Sequence, residues 1–143
     1  MKVIVFLLVI LAADAKKYER CELAKALNAR GMSGYADGSL GDWVCLIRSE
    51  SSYNTAAKNH NKNGSKDYGI FQINSNYWCH DDDKPGRSND CNINCSQLLN
   101  DDISLSVKCA KIIAKRHGLN AWYGWKNHCK DKDVRQYIKG CGL

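Results

Sequence analysis

Apolar positions recur at intervals of three and four in several stretches of the chain, and they alternate with polar ones in only one. In RCELAKALNARG, Leu23, Ala24 and Leu27 share one face and the run stops at Gly31, which predicts an amphipathic helix with a glycine C-cap. SLGDWVCLIRSESS crowds Trp43, Val44, Cys45, Leu46 and Ile47 behind Ser39 or Asp42 as N-cap. It predicts a mostly buried helix with Glu50 in its last turn. In NDDISLSVKCAKIIAKRHG the stripe is Ile103, Val107, Ala110 and Ile113 or Ala114, with Asn100, Asp101 or Asp102 as cap and Gly118 as stop. NAWYGWKNHC and KDVRQYIKG predict shorter helical pieces, the last with Val134, Tyr137 and Ile138 at helical spacing.

From Thr55 to Asn76 the texture changes to Asn, Ser, Gly and Thr, with β-branched and aromatic residues returning in DYGIFQI. Asn63-Gly64 predicts a type I′ hairpin turn, in which both central residues take positive φ, and it places Asp67 on the returning strand. Several helices against one small sheet make the class α+β. Such segregation gives two lobes, with a ligand-binding groove between them.

The N-terminus changes the picture of where this domain works. Met1 and Lys2 are a short basic start, Val3 to Ala13 an apolar run, and Ala13-Asp14-Ala15 places small residues where a signal peptidase reads. Residues 1–15 are expected to be a signal peptide and 16–143 a single secreted, extracellular domain. A membrane anchor needs about 20 apolar residues, more than this run supplies. The eight cysteines, Cys21, Cys45, Cys79, Cys91, Cys95, Cys109, Cys129 and Cys141, imply four disulfides in a secreted chain, whose connectivity their spacing leaves open. Zinc at Cys91 and Cys95 lacks a second close cysteine pair and a His-x3-His spacing. A net charge of +6, from 21 Lys+Arg against 15 Asp+Glu, suits an anionic partner without naming one. No dense basic run or nucleic-acid motif is present, so nucleic acid is not the expected partner.

Candidate chemistry narrows by elimination. Gly-x-Ser-x-Gly and His-Glu-x-x-His are absent, paired cysteines leave no thiol nucleophile, and His60, His80, His117 and His128 are scattered rather than clustered for a metal. Carboxylates remain. Glu50, after an apolar run, is either a solvent-facing charge or a desolvated acid able to donate a proton near neutral pH. Asp67 is either a turn residue or an anion held by the amides of Asn59, Asn61, Gln72 and Asn74. Two carboxyl groups whose surroundings push their pKa values apart are what glycoside hydrolysis requires.

RCELAKAL, GDWVCLIRSESSYNT, NGSKDYGIFQIN, YWC, CNINC, LLNDDIS, KCAKII, NAWYGWKNHC and GCGL resemble the c-type lysozymes of animals, NAWYGWKNHC arthropod members in particular. The resemblance runs from Lys16 to Leu143. It implies a lysozyme-like fold, a helical lobe and a small antiparallel sheet lobe with a cleft between them. It also implies the bridges Cys21-Cys141, Cys45-Cys129, Cys79-Cys95 and Cys91-Cys109. The implied activity is retaining hydrolysis of peptidoglycan, with chitin-like oligosaccharides as further substrates, by a monomer without cofactor or metal. By the same resemblance Glu50 is the general acid, Asp67 the nucleophile or charge stabiliser, and Trp122 the indole packed near the acid. Asn61, Gln72 and Asn74 match polar groups lining the cleft, and Tyr77 and Trp78 the aromatic platform for sugars; Asn59, from the amides expected around Asp67, joins them as a candidate substrate-binding residue.

Two departures bear on substrate preference: Tyr77 stands where many vertebrate members have Trp, and Lys115, Arg116 and His117 stand where the hen-type protein offers an aspartate. A non-catalytic, calcium-binding α-lactalbumin type is disfavoured, because SQLLNDDIS offers only Asp101 and Asp102 and both catalytic carboxyls are present. The acidic run Asp81 to Asp83 reads as a solvated turn. A cationic antimicrobial or glycan-binding protein is the rival that the charge permits.

Overall fold

The apolar stripes become four helices in chain order: α1 (Arg20–Ala29), α2 (Leu40–Ser51), α3 (Ser104–His117) and α4 (Tyr123–His128). This computed structural model describes residues 3–4 and 16–143, so the expected signal peptide, Val3 and Ile4 apart, lies outside the described residues. Helix α1 ends in a Schellman motif, with the N–H of Gly31 donating to Asn28 O and that of Met32 to Leu27 O, both at 3.1 Å. Met32 and Leu27, the hydrophobic pair of that motif, are fully buried. Helix α2 starts from a capping box: Ser39 Oγ accepts from Asp42 N at 3.1 Å, and Asp42 Oδ2 accepts from Ser39 N at 3.0 Å. Helix α3 begins after Ile103, and Asp102 Oδ1 serves as its side-chain cap by accepting from Ser104 N at 2.8 Å.

Three short strands, β1 (Lys58–His60), β2 (Lys66–Tyr68) and β3 (Ile73–Asn74), form an antiparallel sheet in that order. Asp67 lies on the middle strand, opposite Asn59 on one side and Asn74 on the other. The turn differs from the type I′ expectation. Only Gly64 has positive φ, at 86°, while the Asn63 carboxamide oxygen accepts from Ser65 N at 2.9 Å. The side chain of Asn63 thus supplies an Asx contact, and glycine alone takes the left-handed position of a longer loop.

KDVRQYIKG forms its short helical piece as a single 3-10 turn at Arg135–Tyr137. The guanidinium of Arg20 donates to the carbonyls of Tyr137 and Lys139, at 3.0 and 2.8 Å, and these acceptors are therefore satisfied from outside the segment. All four bridges pair as the resemblance implies: Cys21-Cys141, Cys45-Cys129, Cys79-Cys95 and Cys91-Cys109. The Cys45-Cys129 bridge fastens α2 to the residue that follows α4. At the centre of the core, Trp43 packs edge-on against Trp122 at 5.7 Å and against Phe71 at 6.2 Å. Burial of these aromatics adds to that of the aliphatic residues around them in stabilising the core.

Candidate active site

Glu50 is carried to its position by the burial of α2, whose residues Trp43 to Ile47 face the core. One turn later the helix ends with Ser52 in the left-handed region, at φ 51°. Ser51 Oγ donates to the Ile70 carbonyl at 2.7 Å, which ties this helix end to the segment between β2 and β3. Trp122 clasps the same segment, with Nε1 donating to Phe71 O at 2.8 Å.

The carboxyl of Glu50 is partly buried and accepts one hydrogen bond, from the N–H of Gly124 at 3.0 Å. Desolvation raises its pKa above the ordinary carboxyl range, the Gly124 bond pulls it partly back, and the charge of Asp67 adds to the rise. A carboxyl in this state retains its proton at higher pH than a surface glutamate, as a general acid must. Glycine at 124 leaves the carboxyl its place: a Cβ there would lie 2.8 Å from Glu50 Oε1 and 3.0 Å from Ser49 Cβ and would push the carboxyl aside. Nothing in the sequence pattern marked Gly124, since its partner is distant along the chain.

Asp67 has a different supply of donors. Asn74 Nδ2 donates to Asp67 Oδ1 at 2.9 Å, which their register as cross-strand partners makes possible. Of the four amides expected around Asp67, this is the one that reaches it. Asn61 Nδ2 donates to Ser65 Oγ at 3.0 Å, and Asn59 Nδ2 donates to Gln72 Oε1 at 2.7 Å. Gln72 Nε2 lies 2.9 and 3.1 Å from the carbonyls of Gly69 and Ala57. These three therefore brace the hairpin instead of solvating the carboxylate directly.

Beneath β2 the structure departs from the solvated turn expected at Asp81 to Asp83. Lys66 and Tyr68 are buried on the face of the strand opposite Asp67. Asp81 is not a solvated turn residue: it is 8% exposed, and Lys66 Nζ stands 3.5 Å from its Oδ2 and 2.6 Å from Asp83 Oδ2. Strand alternation already placed Lys66 opposite Asp67, which was the available signal.

The aromatic positions divide into three roles. Tyr77 is open to solvent, at 59% exposure. Trp78 is half-buried, with the guanidinium of Arg116 5.5 Å from its ring centroid and the His117 ring edge-on at 5.8 Å. Trp122 is a core residue, 5% exposed, with its N–H already engaged, so it offers a wall and not a stacking surface. Asp101 and Asp102 use a carboxylate oxygen each within their own loop, on Asp102 N and Ser104 N. Among the described residues, no three His, Cys, Asp or Glu side chains gather as a metal site.

The disulfide-stapled α+β domain sets a desolvated Glu50 within the field of a second carboxylate, the kind of carboxyl pair that glycoside hydrolysis requires. The profile of the C-type lysozyme/alpha-lactalbumin family matches residues 16–141, and the chain belongs to that family. It is 54% identical over 144 residues to "Lysozyme C II" of Oncorhynchus mykiss, with both chains covered in full. It is 54% identical, over the same extent, to "Lysozyme C" of Takifugu rubripes. With "Lysozyme c-1" of Anopheles gambiae the identity is 60% over 122 residues, covering 85% of this chain and 83% of the relative.

Proposed function

We propose that this chain is a secreted muramidase that cleaves β-1,4 bonds between N-acetylmuramic acid and N-acetylglucosamine in bacterial peptidoglycan, with retention and without a cofactor. The observation that carries the reading is Glu50, a carboxyl whose pKa is raised by burial within the field of Asp67. Lysozyme is the type case of the two-carboxylate scheme, so the scheme itself comes with the family. Glu50 donates its proton to the glycosidic oxygen as the bond to the anomeric carbon breaks. Asp67 faces the oxocarbenium ion, as nucleophile or charge stabiliser. Glu50, now a carboxylate, takes a proton from the water that attacks the anomeric carbon, and the enzyme returns to its starting state.

Asn59, Asn61, Gln72 and Asn74 shape the polar wall of the cleft, Asn74 by holding Asp67 and the others by bracing the hairpin. Tyr77 is the open sugar platform and Trp78 its supported neighbour, while Trp122 keeps water from the acid side. The net charge of +6 favours anionic cell walls, and salt weakens that attraction. Residues 1–15 act as the signal peptide, and residues 16–143 work outside the cell as a monomer, in antibacterial defence or in the digestion of bacteria. Chitin-like oligosaccharides are secondary substrates.

Turbidity clearing of bacterial cell walls tests the activity, and NMR of the first-formed anomer tests retention. Lysis by the parent protein, lost in Glu50→Gln with cell-wall binding kept, is the expected result. Bacterial killing that survives Glu50→Gln in full would favour the rival, a cationic protein acting through charge.

A further inference from the structure

A concavity of about 550 Å³ is lined by Tyr35, Ala36, Asp37, Ala114, Lys115 and Gly118, and neither Glu50 nor Asp67 is among its lining residues. One wall is a 3-10 turn at Tyr35–Asp37, and the other is the last turn of α3. The turn is strained and firmly held. Ala36 and Asp37 are consecutive non-glycine residues in the left-handed region, at φ 51° and 63°. Such conformations persist only where the surroundings enforce them, and they cluster at binding sites. Here Gly34 N donates to Gly38 O at 2.8 Å, Trp43 Nε1 to Tyr35 O at 3.3 Å, and Tyr35 OH to Lys111 O at 3.1 Å.

The strained turn presents an exposed carboxylate, Asp37, and α3 presents an exposed ammonium, Lys115. Neither has an ion-pair partner among the described residues, although both line one groove. A preformed groove with one fixed charge of each sign suits a ligand that carries an amine and a carboxylate close together. The same last turn of α3 sends Arg116 and His117 to Trp78, so groove and aromatic platform lie on neighbouring faces of one helix end.

We propose that this groove is a second binding site, for the peptide stem of peptidoglycan, in which Asp37 takes the free amine and Lys115 the carboxylate of a diamino-acid residue. The proposal rests on peptidoglycan being the substrate. It adds a contact to the peptide where the cleft reads the glycan, and two linked contacts hold a polymer better than either alone.

The test is a titration of isotope-labelled protein with the free tripeptide L-alanyl-γ-D-glutamyl-meso-diaminopimelate, which contains no sugar. Saturable amide shifts at residues 35–38 and 114–118 are expected, with a Kd on the order of 1–10 mM. Asp37→Asn and Lys115→Gln should each weaken binding about two- to fivefold, as single exposed charges do. Asparagine tolerates the left-handed backbone, so Asp37→Asn preserves the turn. The absence of shifts in the groove, or shifts unchanged in both variants, would overturn the proposal. Hydrolysis of peptide-free glycan strands, expected to be equal in the parent and Asp37→Asn, reports separately on the muramidase reading and fails only if that reading fails.

Discussion

Glu50 and Asp67 are both carboxylates, yet they stand on two kinds of ground. The glutamate ends a helix driven into the core by five consecutive buried residues, and its one protein hydrogen bond comes from a backbone N–H of α4. The aspartate sits mid-strand in a polar hairpin, where a cross-strand asparagine side chain donates to it. On the helical side burial withdraws water and raises the pKa of Glu50. On the sheet side a single side-chain amide, that of Asn74, donates to the carboxylate. Two chemically similar groups thus acquire different surroundings from the elements that carry them.

The largest effect should come from abolishing the helical side's contribution. Glu50→Gln removes the proton donor, and kcat should fall by about 10²–10⁴-fold, measured on soluble cell-wall glycan. Asp67→Asn keeps the bond from Asn74 geometrically possible but removes the charge, and a loss of similar order is expected. A smaller effect should follow from Gly124→Ala. The added Cβ would strike Glu50 Oε1, and displacing a catalytic group by an ångström costs up to about 10²-fold. If the displacement also weakens the Gly124 bond, which now lowers the Glu50 pKa, the basic limb of the kcat profile should move to higher pH.

Asn74→Ala sharpens the comparison from the sheet side. Losing a hydrogen bond to a charged group costs about 1.5–3 kcal/mol, roughly ten- to a hundredfold if felt in the transition state. The check is kcat beside an unchanged chromatographic and circular-dichroism profile.

These residues were not equally legible in the sequence. Leu23, Ala24 and Leu27, or the run Trp43 to Ile47, declare their helices because burial follows local spacing, and Gly31 declares its stop. Asp67 could be placed on a returning strand, but which amide would reach it could not, since that depends on register with Asn74. Asn63-Gly64 signalled a turn while concealing its type, because the Asn63 side chain entered the hydrogen bonding. Asp81 resembled loop acidity until Lys66 was found buried beside it, a long-range pairing. In KDVRQYIKG the helical spacing was real, yet Arg20, far off in sequence, takes the carbonyls of Tyr137 and Lys139. The pair proposed as catalytic was named by family resemblance, and the raised pKa of Glu50 emerged only from the fold.

The smallest predicted effect concerns stability. Because the folded-state pKa of Glu50 is raised, its contribution to stability is fully present below the unfolded-state value and is lost as pH rises through the folded value. Glu50→Gln should therefore melt at a higher temperature than the parent protein at neutral pH, with the gap closing as pH falls to the ordinary carboxyl range. A gap that is constant with pH would indicate packing and not ionisation.

The most direct measurement is the pKa of Glu50 itself, followed through its side-chain carboxyl carbon by NMR in the parent protein and in Asp67→Asn. The predicted result is a value above the ordinary glutamate range in the parent, lowered but still raised when the charge of Asp67 is removed, since burial is the larger cause. An ordinary value in the parent, or one that does not move in the variant, would contradict the division of labour between helix and hairpin.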